Sequence, residues 1–463
     1  MMPASTLTVT EGIHDRLKRH LFPGDGKEAA AVLICTSVPG ERLRLLAQDL
    51  ILVPHEHCSR RDEISLSWPS EYIENAIDIA APRQLSLVLV HSHPSGYPTF
   101  SDLDDRSDQE IMPCIFEACG QLHGTAVMLP TGVVFGRIYT QQLVPAPIEL
   151  ISVVGQDLHY WWSYDVERSI GRPMAFTSAM TTELHRLTAC VIGVSGTGSI
   201  VAEQVCRLGF GKVIFIDHDK VEGKNLNRIL NTVKADADAR RAKVKVFADR
   251  VNTYRDEPYA VPVEANVLTR QAVISAAQSD VLFCCVDTHR GRSVADRLSA
   301  AFLLPLFDVG VAIPTRDIGA GTKAIDEATG RIDYVYPGGS SLFDRGVYTA
   351  ATLQAEDLAE TDPEAHADQV KRGYIEDVPE QAPSVITLNM RAASSCVMEF
   401  IARAYPFRHE SNTRYARTSF MLAEGVEEFT AENEFEARVW SGLASGDLEP
   451  LLGLPVLAKR RES

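Results

Sequence analysis

The sequence has no apolar run long enough to cross a membrane. Its longest apolar stretches, such as Leu85–Val90 and Val281–Val286, fall far short of the roughly 20 residues that a membrane-spanning helix needs. The N-terminal residues also lack a basic segment followed by an apolar one and a small-residue cleavage site. We therefore predict no membrane segment and a cytoplasmic location.

The shortage of basic residues and the lack of paired cysteines limit which partners and metal sites are expected. Acidic residues outnumber basic ones by 62 to 45, which gives a formal net charge of −17 at pH 7. Because affinity for nucleic acid rests largely on Lys and Arg, nucleic acid is not an expected partner. The nine cysteines include no Cys-x-x-Cys pair, which removes the most common structural zinc site, and we interpret them as reduced core residues.

The 463 residues are too many for one ordinary core, and about three domains are expected. Residues 1–145 alternate apolar, β-branched runs with helical spacing, which predicts a compact mixed α/β domain. The predicted strands are Ala29–Ile34, Leu43–Val53, Leu85–Val90, Gly124–Leu129 and Gly132–Tyr139, and the predicted helices are Ser70–Ala80 and Asp105–Ala118. Residues 146–180 are expected to form a linker and a helical lead-in.

From residue 181 the pattern changes to strand, glycine-rich turn, helix and strand, which is typical of a parallel βαβ unit. The segments are Leu187–Val194, Ser199–Leu208, Lys212–Ile216, Arg270–Ala277, Asp280–Val286, Leu303–Phe307 and Ser384–Ala404. We predict a Rossmann-like α/β domain over residues 181–410 with an exposed crossover loop at 337–383. Glu356–Gln381 is expected to be a loop or lid, and the acidic tail at 411–463 a solvated helix face.

A first group of polar residues follows the predicted strand Leu85–Val90. His91 and His93 lie two apart at the strand end, where alternate side chains point the same way, and Asp104 comes eleven residues later. Ser101 heads a Ser-x-x-Asp segment that would begin a helix and fix Asp104 in its first turn. Three such ligands would hold Zn²⁺ and leave a fourth position for water, and Glu28 is our candidate general base. A His-x-His pair alone is more often a loop pair without a metal.

The complete set of motif residues is much rarer in protein sequences than a His-x-His pair alone. An upstream Glu, then His-Ser-His-Pro, then Ser-x-x-Asp resembles the motif of JAMM metallopeptidases, which have the JAB/MPN fold, and the resemblance covers residues 1–145. It implies cleavage of an amide or isopeptide bond after a ubiquitin-like C-terminus. It also implies that Ser101 helps to stabilise the tetrahedral intermediate.

A second group begins with the sequence GVSGTG, in which Gly193, Gly196 and Gly198 lie between a strand and its helix. Such a turn brings backbone N–H groups and a helix N-terminus to a phosphate, although it can also be a tight turn without a ligand. Asp217 ends the next strand, where a carboxylate can accept ribose hydroxyls. The later polar residues of this group are Asp219, Asn225, Arg228, Lys243 and Asp287.

These residues, in this order, resemble the nucleotide site of ubiquitin-activating enzymes and of the thiamine and molybdopterin adenylyltransferases, over residues 165–405. The resemblance implies that a C-terminal carboxylate attacks the α-phosphate of ATP to give an acyl-adenylate and pyrophosphate. It places Asp217 at the ribose and Asp287 at Mg²⁺. The remaining implied phosphate contacts are Asn225, Arg228 and Lys243. The family also suggests a homodimer through this domain, with Arg168 as a candidate arginine that reaches the partner's site.

The chain departs from the activating-enzyme pattern at the acyl acceptor. It has no cysteine between Val286 and Ser395, and it reads PGGSSLFDRG where the first zinc pair would be expected. The adenylate could pass directly to an acceptor, or Ser340 or Ser341 could form an oxyester. Cys396 is interpreted as a helix core residue.

The two resemblances together suggest a bifunctional enzyme of a bacterial ubiquitin-like modification pathway that uses Zn²⁺, ATP and Mg²⁺. Its partners would be a small ubiquitin-like protein and a separate conjugating enzyme. One alternative is activation of a sulfur-carrier protein whose precursor the hydrolase trims. Another is a scaffold without catalytic activity.

Overall fold

The computed structural model describes residues 4–120, 122–163, 171–319, 322–371 and 385–459. Two compact units make up the chain. The first unit consists of Pro3–Pro173, Ala300–Leu303 and Ser441–Ser463, and the second is formed mainly by Met174–Ser299 and Leu304–Trp440.

The first unit is built on a nine-stranded mixed sheet with strand order β11-β10-β1-β3-β2-β6-β7-β8-β9. Its strands are β1 (Ser5–Thr10), β2 (Ala30–Ser37), β3 (Leu43–Leu52), β4 (Arg60–Arg61), β5 (Leu66–Ser67), β6 (Ser86–Ser92), β7 (His123–Met128), β8 (Val134–Tyr139), β9 (Pro145–Pro147), β10 (Leu150–Val154) and β11 (Leu158–Trp162). Strands β4 and β5 form a separate hairpin. The helices are α1 (Glu11–Leu21), α2 (Glu71–Ala80) and α3 (Asp102–Ala118).

Strand β2 shows why this sheet is covered on both faces. Successive side chains of a strand point to opposite faces. Ala31, Leu33 and Cys35 join the apolar cluster that contains residues of α1, whereas Val32 and Ile34 join the cluster that contains residues of α2 and α3. The apolar run that predicted a buried strand therefore fills two cores.

The first unit extends beyond its expected sequence range. Strands β10 and β11 lie in the segment that we expected to be a linker, and β10 pairs in parallel with β1. Residues near the C-terminus also return to this unit, where Thr36 Oγ1 donates to Ala444 O at 2.7 Å and Leu448 packs against the α2–α3 cluster. These pairings join residues more than 140 positions apart, so local patterns do not reveal them.

The second unit has an eight-stranded sheet with strand order β14-β13-β12-β15-β16-β19-β20-β21. Its strands are β12 (Thr188–Ile192), β13 (Lys212–Ile216), β14 (Ala260–Val263), β15 (Val281–Cys284), β16 (Leu306–Ala312), β17 (Thr315–Asp317), β18 (Lys323–Ile325), β19 (Thr329–Val335), β20 (Arg417–Met421) and β21 (Val426–Thr430). In this spatial order, the first five strands (β14, β13, β12, β15 and β16) run parallel to one another. Each of the last three strands (β19, β20 and β21) pairs antiparallel with the strand before it. Strands β17 and β18 form a separate hairpin.

The helices of the second unit are α4 (Ser178–Leu184), α5 (Gly196–Leu208), α6 (Lys234–Asp238), α7 (Lys243–Val251), α8 (Arg270–Ala277), α9 (His289–Phe302), α10 (Ala350–Thr361), α11 (Pro363–Lys371) and α12 (Ile386–Ala404). Helix α5 begins within the glycine turn, at Gly196, and packs against α12. Among the described helices of both units, none is long and apolar enough to cross a membrane.

Two secondary-structure predictions in the second unit are wrong. The part of Glu356–Gln381 that the structure describes lies in α10 and α11, because alanine, glutamate and glutamine favour a helix even where few large apolar residues are available. Residues 372–381 lie outside the described part of the chain. The acidic tail is exposed around Val426–Thr430 as expected, but it forms β21, which pairs with β20 and is not a helix.

Candidate functional sites

The structure brings the first group of polar residues together at the end of β6. His91 Nε2 lies 3.1 Å from His93 Nε2 and 3.1 Å from Asp104 Oδ1. His93 Nε2 lies 3.6 Å from Asp104 Oδ2. The two histidines come from the strand and the residue after it, and Asp104 comes from the first turn of α3. The three side chains form a compact candidate metal centre.

The spacing of these atoms fits zinc. Tetrahedral zinc holds its nitrogen and oxygen ligands about 2.0–2.2 Å away, which separates two ligand atoms by about 3.3 Å. The three measured separations lie on either side of that value. His93 Nδ1 donates to Tyr97 O at 2.9 Å, so the other ring nitrogen is left to bind a metal.

Asp104 is fixed by the start of its own helix. Ser101 is the N-cap of α3, and its backbone N and its Oγ donate to Asp104 Oδ2 at 2.6 and 2.8 Å. In return, Asp104 N donates to Ser101 Oγ at 3.2 Å. Burial alone would raise the pKa of Asp104, but hydrogen bonds from His91 and His93 outweigh it and hold that pKa well below its usual range. The helix start predicted from Ser-x-x-Asp is confirmed.

Glu28 lies one residue before Ala29, which is tied to the histidine strand. Ala29 N donates to Ser92 Oγ at 2.9 Å, and Ser92 N donates to Ala29 O at 3.1 Å. The β4–β5 hairpin holds the backbone of Glu28 from the other side, through Glu28 N and Asp62 O at 2.8 Å. Burial raises the pKa of Glu28 to about 7, against the opposing effect of His91 and His93. A carboxyl group with such a pKa is suited to proton transfer near neutral pH.

The second candidate site begins at the glycine turn between β12 and α5. Gly193 has a φ of +84°, and a Cβ at Gly198 would lie only 1.8 Å from Gly193 O. A Cβ at Gly196 would lie 2.6 Å from Asn389 Nδ2 and 3.2 Å from Arg228 Cδ. The turn therefore requires glycine. Asn389 of α12 contributes to the site, although its only signal in the sequence is the end of the APSVITLN segment.

Asp217 and Asp219 have different surroundings. Asp217 is buried, and its two oxygens accept hydrogen bonds from Val194 N and Asp219 N, both at 2.8 Å. The Asp219 side chain is 54% exposed and accepts from Lys243 Nζ at 2.7 Å. Lys243 Nζ also donates to Ser195 Oγ at 2.9 Å, beside the glycine turn. Asp217 thus holds the glycine turn against the end of β13, whereas Asp219 and Lys243 lie beside the glycine turn.

The other residues predicted to bind the nucleotide make local hydrogen bonds or are exposed. Asn225 is buried, and its Oδ1 accepts from Glu222 N at 3.0 Å. Arg228 Nη1 donates to Lys224 O at 3.0 Å. Asp287 is exposed just after β15. Among the described residues, it belongs to neither of the two groups of side chains that could hold a metal ion, which are His91, His93 and Asp104 and, beside the glycine turn, Asp217, His218 and Asp219. The glycine turn, Asp217 and Asp287 all follow parallel strands, so they share the edge of the sheet where such folds bind ligands.

The residues considered as acyl acceptors are buried. Ser340 Oγ accepts from Arg345 Nε at 2.8 Å, and Ser341 Oγ donates to Asp344 Oδ2 at 2.7 Å. Cys396 is buried in α12, and burial raises the pKa of its thiol well above the usual value. This burial counts against an acceptor role for Ser341. Arg168 lies outside the described residues.

Known proteins resemble both parts of the chain. Residues 10–151 match the family model for prokaryotic homologs of the JAB domain. Ubiquitin-like modifier-activating enzyme 5 of Culex quinquefasciatus is 26% identical over 172 residues, which are 35% of this chain and 40% of that protein. The corresponding enzyme of Caenorhabditis elegans is 26% identical over 171 residues, 35% of this chain and 37% of that protein. This chain therefore spans less than half the length of these curated relatives.

Solved structures give weaker similarity. Escherichia coli MccB with ATP has 15% sequence identity and a TM-score of 0.42, and the match covers 57% of this chain and 68% of that one. The Microcin C7 biosynthetic enzyme MccB with N-formylated MccA has 16% identity and a TM-score of 0.43, over 58% of this chain and 70% of that one. The ThiF family model matches residues 167–437, which is more than half of the sequence. The chain belongs to the ThiF family and carries a prokaryotic JAB domain ahead of its ThiF domain.

Proposed function

We propose that this chain is a bifunctional enzyme of a bacterial ubiquitin-like modification pathway. It adenylates the C-terminus of a small ubiquitin-like protein, and it hydrolyses an amide or isopeptide bond that follows such a C-terminus. The observation that carries the proposal is the presence of both groups in one chain, the His91–His93–Asp104 cluster near Glu28 and the glycine turn with Asp219 and Lys243 beside it. The ThiF family and its ubiquitin-activating relatives support the adenylation half.

In the adenylation half, an oxygen of the C-terminal carboxylate attacks the α-phosphorus of ATP. The bond from that phosphorus to the bridging oxygen breaks, and pyrophosphate leaves with the electron pair. The N-terminus of α5 and the glycine turn receive phosphate oxygens, while Lys243 and Arg228 neutralise the developing charge.

We assign the ribose contact to Asp217, because each of its carboxylate oxygens accepts one backbone hydrogen bond and keeps a second lone pair for a ribose hydroxyl. Asn225 supports the phosphate-binding loop through its bond to Glu222 N. Asp287 would hold Mg²⁺, which supplies positive charge to the leaving pyrophosphate.

In the hydrolytic half, His91, His93 and Asp104 would hold Zn²⁺. When bound there, zinc increases the acidity of water and so makes it a nucleophile near neutral pH. Glu28 takes a proton from the attacking water and gives it to the nitrogen of the leaving amine. The Ser101 hydroxyl donates its one hydrogen to Asp104 Oδ2 in the structure, and during the reaction it would turn to donate that hydrogen to the oxyanion on the substrate carbonyl.

The buried acceptor candidates favour direct transfer of the acyl group from the adenylate. The acceptor would then be a separate conjugating enzyme, or a sulfur donor if the substrate is a sulfur-carrier protein. A homodimer through the ThiF domain is part of the same proposal.

ATP–pyrophosphate exchange with ubiquitin-like proteins encoded in the same genome tests the first half, and cleavage of a C-terminal amide fusion of the same protein tests the second. Exchange and cleavage with one common partner would support the proposal. A thiocarboxylate product in the presence of sulfide, detected by mass spectrometry, would select the sulfur-carrier alternative. Purified protein that binds neither zinc nor ATP would be a scaffold.

A further inference from the structure

A buried polar network lies in the first unit and is centred on Asp108 of α3. Asp108 Oδ2 accepts hydrogen bonds from Thr125 Oγ1 and Tyr139 OH, both at 2.7 Å. The same oxygen accepts from Arg137 Nε at 2.9 Å and from Arg137 Nη2 at 2.7 Å. Asp108 is 6% exposed and Arg137 is 9% exposed. One carboxylate oxygen therefore fastens α3 to strands β7 and β8.

Arg137 also contacts both ends of the segment that carries Asp104. Its guanidinium carbon lies 3.9 Å from the ring centroid of Phe100, the residue just before Ser101. Its Nη1 donates to Asp105, the residue just after Asp104. The side chain of Arg137 thus spans the short segment that holds the third candidate ligand.

The Phe100 ring also packs against Phe135, which in turn contacts His93, one of the candidate metal ligands. The rings of Phe100 and Phe135 meet edge to face with centroids 5.3 Å apart, and Phe135 meets the His93 ring at 6.4 Å. Displacement of Phe100 would therefore disturb packing against His93 as well as the position of Ser101.

We propose that Arg137 and Asp108 are positioning residues for the candidate metal centre, an inference that rests on the proposed zinc site. Residues four apart on a helix lie on the same face, so Asp108 fixes the helical turn directly below Asp104. A buried ion pair adds little net stability compared with apolar residues of the same size. A ligand set, by contrast, must be held within about 0.5 Å of its working geometry. The hydrogen bonds of Asp108 and Arg137 hold the candidate ligands in that geometry.

The test is the zinc dissociation constant of the full-length chain, measured by competition with a chromogenic chelator. Asp108→Asn keeps the size of the side chain and removes its charge. We expect it to weaken zinc binding roughly 10- to 100-fold, the usual effect of losing a group that supports a metal ligand. Glu110→Gln removes the same charge from an exposed position on α3, and it should leave the dissociation constant within about twofold of the wild-type value.

Two further measurements separate positioning from general loss of fold. Phe100→Leu keeps the Asp108–Arg137 pair and removes the ring that packs against both the Arg137 guanidinium and Phe135, so it should weaken zinc binding several-fold even if Asp108→Asn does not fold. The visible spectrum of bound Co²⁺ reports ligand geometry and should change in either folded variant but not in Glu110→Gln. Wild-type zinc affinity and an unchanged cobalt spectrum in a folded variant would overturn the positioning role. Failure of the wild type to bind zinc would overturn the metal centre itself.

Discussion

The candidate metal centre and the candidate nucleotide site differ in how their residues are brought together. His91, His93 and Asp104 come from one strand, one loop and the start of one helix, and their side chains already lie 3.1–3.6 Å apart. The residues proposed to bind the nucleotide follow several parallel strands, and Asp287, the proposed Mg²⁺ ligand, is exposed.

This difference has a physical consequence. The candidate metal ligands are held by hydrogen bonds within a short segment, so their geometry is largely complete before a metal ion binds. The nucleotide site has a rigid glycine turn but open charged side chains around it, so ATP and its metal would complete the geometry. The candidate metal centre should therefore respond most to substitutions that remove a reacting group. The candidate nucleotide site should respond most to substitutions that change a charge or the backbone of the glycine turn.

The largest effect is expected from Glu28→Gln in the first unit. The substitution preserves size but removes the group that accepts the water proton, so hydrolysis should fall by roughly 10²- to 10⁴-fold. Zinc content, measured by atomic emission, should remain at the wild-type level because Glu28 is not a ligand. A loss of less than tenfold in the hydrolysis rate would remove Glu28 as the base.

In the second unit, Lys243→Ala should lower the rate of ATP–pyrophosphate exchange by roughly 10²- to 10³-fold. Lys243 is a buried cation at the first position of α7, and it contacts Asp219 and Ser195 beside the glycine turn. Lys245→Ala is the matched control, because Lys245 is 59% exposed and pairs with Glu264. An exchange rate in Lys243→Ala that equals the rates of Lys245→Ala and the wild type would show that Lys243 has no role in the site.

The backbone of the glycine turn is tested by Gly198→Ala. Its new Cβ would lie 1.8 Å from Gly193 O, so the backbone must shift, and the free energy of unfolding of the second unit should fall by about 3 kcal/mol. Chemical denaturation followed by circular dichroism measures this loss. Gly223→Ala places its Cβ in open space and should change stability far less, and a similar loss in both variants would contradict the importance of the turn.

The smallest effect is expected from Ser341→Ala. The substitution removes two hydrogen bonds, the one that Ser341 Oγ donates to Asp344 Oδ2 and the one that it accepts from Asp344 N, and it should cost about 1 kcal/mol of stability. Because the hydroxyl is buried, transfer of the acyl group should stay within about twofold of the wild-type rate. Loss of a hydroxide-labile, thiol-stable adduct in this variant would restore Ser341 as the acceptor.

Local patterns in the sequence predicted many elements well. Lys212–Ile216 and Arg270–Ala277 have the predicted bounds, and the Ser101–Asp104 helix start is present. These features depend on residues a few positions apart. Glu28 was chosen as the candidate base from its place beside the predicted strand Ala29–Ile34, and the family motif agrees with that choice. The sheet pairing that brings β2 beside β6 cannot be derived from spacing.

Features that depend on distant contacts were not predicted. Nothing local shows that the segment around Ala444 returns to β2, or that β10 pairs with β1. The hydrogen bonds that Asp217 accepts from Val194 N and Asp219 N were not predicted either, because spacing along the chain does not show which backbone groups meet a carboxylate at a strand end. Such outcomes depend on hydrogen bonds that form only in the complete fold.

The most direct test of the bifunctional account is ATP–pyrophosphate exchange and amide cleavage measured side by side in the wild type, Asp287→Ala and Asp104→Ala, with the same ubiquitin-like protein. We predict that Asp287→Ala abolishes exchange and leaves cleavage intact, while Asp104→Ala abolishes cleavage and leaves exchange intact. Exchange that persists at the wild-type rate in Asp287→Ala, or cleavage that persists in Asp104→Ala, would contradict the account.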